Sequence, residues 1–93
     1  MIKTFADKRT VALFVDAPAK GVPADVRKRA RQKLMALHAA QTIDDLRVPP
    51  ANRLEALKGS RAGQHSVRVN DQWRLCFVWD DGDAYDVEFC DYH

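Results

Sequence analysis

The chain has 93 residues, 46% of them hydrophobic and 30% charged, with a net charge of +2. That length holds one modest core and not two, so a single domain over 1–93 is expected, and the composition excludes an intrinsically disordered chain. The near-neutral total does not mark a nucleic-acid binder by bulk charge, and what counts is where the cations cluster.

The opening "MIKTF" alternates and predicts a short strand. With the following "ADKRT" it offers no apolar signal core and no small-residue cleavage site, and no later run approaches the ~18 apolar residues of a membrane span. A cytoplasmic protein without membrane contact is expected. Asp7 is placed to cap a helix carrying Val11, Leu13, Phe14 and Val15, which ends before the loop "DAPAKGVP".

"ADVRKRARQKLMALHAA" predicts the clearest element, a helix whose Val26, Ala30, Leu34 and Leu37 form an apolar stripe. Its other faces carry Arg27, Lys28, Arg29, Arg31 and Lys33, with no acidic residue between Val26 and Leu37. A solvated helix surface is the bland reading of that cluster, and a footprint for phosphates is the sharper one. Thr42 opens a capped turn, and Pro49-Pro50 breaks the chain before "LEALKG", where Leu54 and Leu57 are candidate anchors.

The remainder predicts strands. "QHSVRVN" alternates, and "WRLCFVW" sets Trp73, Leu75, Phe77 and Trp79 against Arg74, Cys76 and Val78. A three-residue "DDG" loop with Gly82 left-handed would pair Trp79 with Asp83 and Phe77 with Tyr85, bringing Tyr85, Val87 and Phe89 to the apolar side. That register puts Cys76 across from Asp86 and Cys90 across from position 72, so no disulfide is expected. The two cysteines are also too few to staple a secreted mini-domain, and no paired-His spacing accompanies them to suggest a zinc site. The fold class is therefore α+β, with N-terminal helices on the apolar face of a small, mainly antiparallel sheet whose other face is polar and concave.

On the polar side lie Lys58, Arg68, Arg74 and the final Asp91, Tyr92 and His93. Each has a bland reading: Arg74 pairs with Glu88 across the hairpin, Lys58 is a solvated loop lysine, and Tyr92 plugs the end of the core. Together they contain what breaks an RNA phosphodiester through its own 2′-OH: a base, cations for the growing charge, and an acid for the leaving 5′-oxygen. Arg74 and Lys58 offer the charge, His93 exchanges protons near pH ~6.5, and Tyr92 serves as a base only beside cations or as a stacking platform. Asp91 orients His93 or holds Arg74. The same residue types would equally suit an anion-binding groove.

The run "LEALKGSRAGQHSVRVNDQWRLCF", the later "GDAY" and the final "DYH" resemble the HigB toxins of the RelE superfamily. The opening "MIKTF", the "GVP" loop and the basic second helix fit the same pattern, so the resemblance spans nearly the whole chain. It implies a RelE-like fold and a ribosome-dependent mRNA endoribonuclease that cuts in the decoding site, without metal or other cofactor, by 2′-OH attack. It also implies a HigA-like helix-turn-helix antitoxin as partner, beside ribosome and mRNA, with operator DNA reached only through that antitoxin. By this resemblance Lys58 is an active-site lysine, Arg74 contacts the phosphate, and Asp91, Tyr92 and His93 are the catalytic tail. Some family members carry a histidine three residues before that lysine; this chain has Glu55 there, which makes Glu55 a candidate base. Arg27, Lys28, Arg31 and Lys33 would dock on ribosomal RNA, with Arg61 and Arg68 as further RNA contacts. The alternatives are a non-enzymatic ribosome- or RNA-binding module and a subunit whose polar sheet face is only an assembly surface.

Overall fold

The computed structural model describes residues 1–91, so Tyr92 and His93 lie outside the described residues. Asp7 caps the first helix, α1 (Lys8–Phe14), with its Oδ1 accepting from the Thr10 amide at 2.8 Å. Fixing one of the helix's free amides in this way sets where the helix starts. After the "DAPAKGVP" loop comes α2 (Ala24–Ala39), whose Val26, Ala30, Leu34 and Leu37 are all buried as the spacing predicts. Val11 of α1 and Val15 at its C-cap, by contrast, are exposed, and the buried positions of the helix are Thr10 and Leu13.

Two short helical turns, Ile43–Arg47 and Pro50–Asn52, lead to a four-stranded antiparallel sheet in the order β1 (Glu55–Ala56), β2 (His65–Arg68), β3 (Trp73–Asp80), β4 (Asp83–Asp91). The Thr42 expectation holds, since Thr42 and Asp45 form a reciprocal capping box over the first of these turns. Leu34 and Leu37 of α2 meet Leu75, Phe77, Val67 and Phe89 of the sheet in one core, and these side chains are essentially inaccessible. Truncating either buried phenylalanine would cost ~3–5 kcal/mol.

The β3–β4 hairpin differs from expectation. Asp80 pairs with Asp83, leaving a two-residue loop in which Asp81 (φ 48°) and Gly82 (φ 83°) are both left-handed. Two consecutive positive φ values give the turn that matches the strands' own twist. Trp79 therefore pairs with Ala84 and Val78 with Tyr85. A bulge at Asp86 (φ 53°) then shifts the register, so that Cys76 faces Glu88 and Leu75 faces Phe89. Because a bulge inserts one residue, it reverses which face later residues take. Ala84 rather than Tyr85 enters the core, while Val87 and Phe89 reach it as expected.

The outer edge of β4 is covered. "MIKTF" runs parallel to it as isolated bridges, Ile2 to Ala84 and Phe5 to Val87, and Thr4 Oγ1 accepts the bulged Asp86 amide at 2.8 Å. Further along, Thr10 Oγ1 accepts from the Phe89 amide (3.0 Å) while the Arg9 guanidinium donates to the Phe89 carbonyl (3.0 Å). Covering an edge removes a row of unpaired backbone groups, and here it also fixes the height of Cys90 and Asp91 on the sheet.

Candidate active site

The polar face of the sheet carries a cavity of about 430 Å³ lined by residues that include Glu55, Lys58, Arg61, Ser66, Cys76 and Asp91. Its rim is the segment joining β1 to β2. Leu57 donates to the Gln64 carbonyl at 2.8 Å, and between them Gly59 adopts φ +66°, a left-handed conformation that turns the chain immediately after Lys58. Lys58 is exposed at that rim.

Beneath the rim Arg74 is buried, with Nε donating to Ser66 Oγ and Nη2 to the Arg53 carbonyl, both at 2.8 Å. Its Nη2 also lies 3.9 Å from Glu55 Oε1. The bland reading of Arg74, a pair with Glu88 across the hairpin, does not hold among the described residues. The shifted hairpin register puts Cys90 opposite Arg74, and Glu88 instead takes the guanidinium of Arg61 at 3.3 and 3.4 Å. Gln64 Oε1 accepts a further bond from Arg61 at 3.0 Å. The hydrogen bond to Glu88 holds the Arg61 guanidinium still more firmly protonated.

Of the residues expected here, Glu55, Lys58, Arg61 and Asp91 line the cavity and Arg74 lies under it, whereas Tyr92 and His93 fall outside the described residues. Asp91 accepts from Gln72 Nε2 at 3.3 Å. Arg68, at the far end of β2, is paired with Asp71 and does not line the cavity. The cavity adds residues that the sequence reading did not select: Ser60, Ser66, Cys76 and Cys90. Strand parity was the available signal for two of them, since Cys76 shares the face of Arg74 and Ser66 that of Arg68.

The cationic helix divides into two. Arg27, Lys28 and Arg31, with Asp16, line a second cavity of about 540 Å³. The Nε atoms of Arg27 and Arg31 are buried there without a hydrogen-bond partner among the described residues. Lys33 is turned away from it: its Nζ donates to Asn52 Oδ1, which belongs to a buried asparagine that itself bonds the Leu46 carbonyl at 3.1 Å. Burial lowers the Lys33 pKa, and the nearby Arg29 and Arg68 lower it further.

A family model for the RelE-like toxin HigB of type II toxin–antitoxin systems matches residues 3–93. The chain belongs to this family. Among similar proteins, the "Endoribonuclease HigB" of Proteus vulgaris is 38% identical over 93 residues, covering 100% of both chains. The "Toxin HigB-1" of Vibrio cholerae is 48% identical over 63 residues, 68% of this chain and 66% of that one. In fold the chain is similar to a YafQ mutant from E. coli (TM-score 0.66, 15% identity, covering 98% of this chain and 91% of that one). It is also similar to a chain of the YoeB–YefM complex from Staphylococcus aureus (TM-score 0.63, 17% identity, 100% and 98%). This HigB-like chain thus has helices on one face of an antiparallel sheet, the fold that the resemblance implied, and no helix among the described residues is long and apolar enough to cross a membrane.

Proposed function

We propose that this HigB-like protein is an endoribonuclease that cleaves mRNA on the ribosome by attack of the 2′-OH on the neighbouring phosphate. The observation that carries this reading is the cavity itself. It gathers three cations, Lys58, Arg61 and the underlying Arg74, with two carboxylates, Glu55 and Asp91. The full-length likeness to a protein named endoribonuclease supports it.

A phosphate in this cavity meets Lys58 and Arg61 at the rim, with the buried Arg74 guanidinium beneath them. As the phosphorus becomes five-coordinate, negative charge grows on its non-bridging oxygens. Cations that are already held in place stabilise that charge without reorganising. Removal of the 2′ proton is assigned to Glu55, a carboxylate that lines the cavity. Proton delivery to the departing 5′-oxygen is assigned to the tail of Asp91, Tyr92 and His93, on the family resemblance.

The groove of Arg27, Lys28 and Arg31 suits a second task. Phosphate oxygens of ribosomal RNA would meet the cations that line this groove, positioning the toxin without reading sequence. Lys33 and Arg68, engaged by Asn52 and Asp71, contribute less to that surface. A HigA-like antitoxin is the partner that the family implies.

Primer-extension mapping on one mRNA, translated in one sample and without ribosomes in the other, tests the reading. Cuts should appear in the translated message and be absent from the bare one. Equal cutting of both would overturn ribosome dependence, and no cutting of either would overturn the nuclease assignment.

A further inference from the structure

Arg61 is held at the cavity by two different elements. It closes the short helical turn Gly59–Arg61, in the segment joining β1 to β2 and directly after Lys58. Its Nη1 and Nη2 donate to the two Glu88 carboxylate oxygens at 3.3 and 3.4 Å, and Nη1 donates again to Gln64 Oε1 at 3.0 Å. Glu88 lies on β4. Strand pairing runs Glu55 to Ser66, Ser66 to Cys76 and Cys76 to Glu88, so these residues form one row across the sheet. Arg61 therefore reaches over β2 and β3 and fastens the Lys58 rim to the far strand.

A guanidinium carries five N–H donors in a rigid plane. Glu88 and Gln64 engage both of those on Nη1 and one of those on Nη2, which leaves the Nε–H and the second Nη2–H unengaged among the described residues. These two share one edge of the plane and form a side-on fork that matches two phosphate oxygens. The ion pair itself adds little stability, because the Arg61 and Glu88 side chains are 38% and 33% exposed and water screens their attraction. What it fixes is direction. A long side chain already held in place gives up little rotamer freedom on meeting an anion.

We propose that Glu88 is a positioning residue of the candidate active site, holding Arg61 so that its Nε–Nη2 fork takes a phosphate group in the cavity. Glu88 touches no substrate and acts only through the guanidinium. Two effects oppose each other here. The carboxylate cancels part of the Arg61 charge, which weakens its pull on an anion, and it fixes the fork, which strengthens it. Because the carboxylate grips a different edge from the ligand and is partly in water, orientation outweighs neutralisation. The contribution to cleavage rests on the function proposed above, whereas the phosphate site does not.

The test follows the arginine Nε–Hε resonances of the intact protein by NMR as inorganic phosphate is added, with the Arg61 signal identified by its loss in Arg61→Lys. That signal should move on titration. Phosphate affinity should fall about 10-fold in Glu88→Ala and about 3-fold in Glu88→Gln, whose amide oxygen still accepts one bond. A static Arg61 signal, or unchanged or tighter phosphate binding in Glu88→Ala, would overturn the proposal. The melting temperature of Glu88→Ala should stay within about 5 °C of the parent protein, and a larger drop would make Glu88 a structural residue instead. Cleavage of translated mRNA is measured in parallel. Glu88→Ala should lower the maximal rate about 10-fold, keep the half-saturating ribosome concentration within about 2-fold, and change nothing further in an Arg61→Ala background. No loss at all, or an equal loss with and without Arg61, would overturn the contribution to cleavage. Absent cleavage by the parent protein would overturn the nuclease reading, and the phosphate titration would still decide the role of Glu88.

Discussion

The two cationic regions of this molecule differ in how their charges are held. In the sheet cavity Arg61 is clamped by Glu88 and Gln64, and Arg74 by Ser66, the Arg53 carbonyl and Glu55. In the helix groove Arg27, Lys28 and Arg31 share a rim with a single carboxylate, Asp16, and the buried Nε atoms of both arginines lack partners among the described residues. A fixed cation acts on charge that appears at a defined point, as in a transition state. A loosely held cluster acts on encounter and docking, where average potential matters more than geometry. The contrast assigns chemistry to the first region and association to the second.

The sharpest way to break this comparison is Lys58→Ala. Lys58 is exposed, so the fold should survive while cleavage of translated mRNA falls by ~100-fold or more and ribosome binding stays within about two-fold. A loss of binding as large as the loss of cleavage would merge the two regions into one. Next is Arg74→Ala, which removes two charged hydrogen bonds from a buried position and should destabilise the protein by about 3 kcal/mol in urea unfolding. Arg74→Lys should not restore this, because an ammonium cannot span Ser66 Oγ and the Arg53 carbonyl as a planar fork does. Wild-type stability in Arg74→Ala would show that the guanidinium does not tie β3 to the segment before β1. The smallest effect should come from Arg27, Lys28 and Arg31 changed together to Glu. Ribosome affinity should drop ~10-fold at low salt, and the slope of log affinity against log salt should become shallower by about 2, with thermal stability unchanged. Unaltered affinity at every salt concentration would return this groove to an ordinary solvated helix surface.

Much of this architecture was legible without coordinates. The stripe of Val26, Ala30, Leu34 and Leu37 is periodic, and its periodicity says which face of the helix is buried; the alternation of Trp73, Leu75, Phe77 and Trp79 says which face of β3 meets the helices, although Arg74 and Cys76 on its other face are buried too. The Asp7 cap was equally readable, because a cap depends on neighbours three residues away. The hairpin register was not. A three-residue loop without a bulge and a two-residue loop with one can be drawn on the same letters, and only packing against the core and the N-terminal segment selects between them. Thr4, which accepts the bulged Asp86 amide, lies far from it in sequence, so no local pattern contains that choice.

The same reason divides the site. Residue type and family resemblance singled out Glu55, Lys58, Arg74 and Asp91 as candidates. Only the tertiary structure moved Arg61 beside Glu88, joined the two thiols on one cavity floor, and turned Lys33 from the helix groove toward Asn52. Periodicity in a sequence assigns a side chain to a face. Distances across that face depend on the register of separate strands, which the chain settles only by folding.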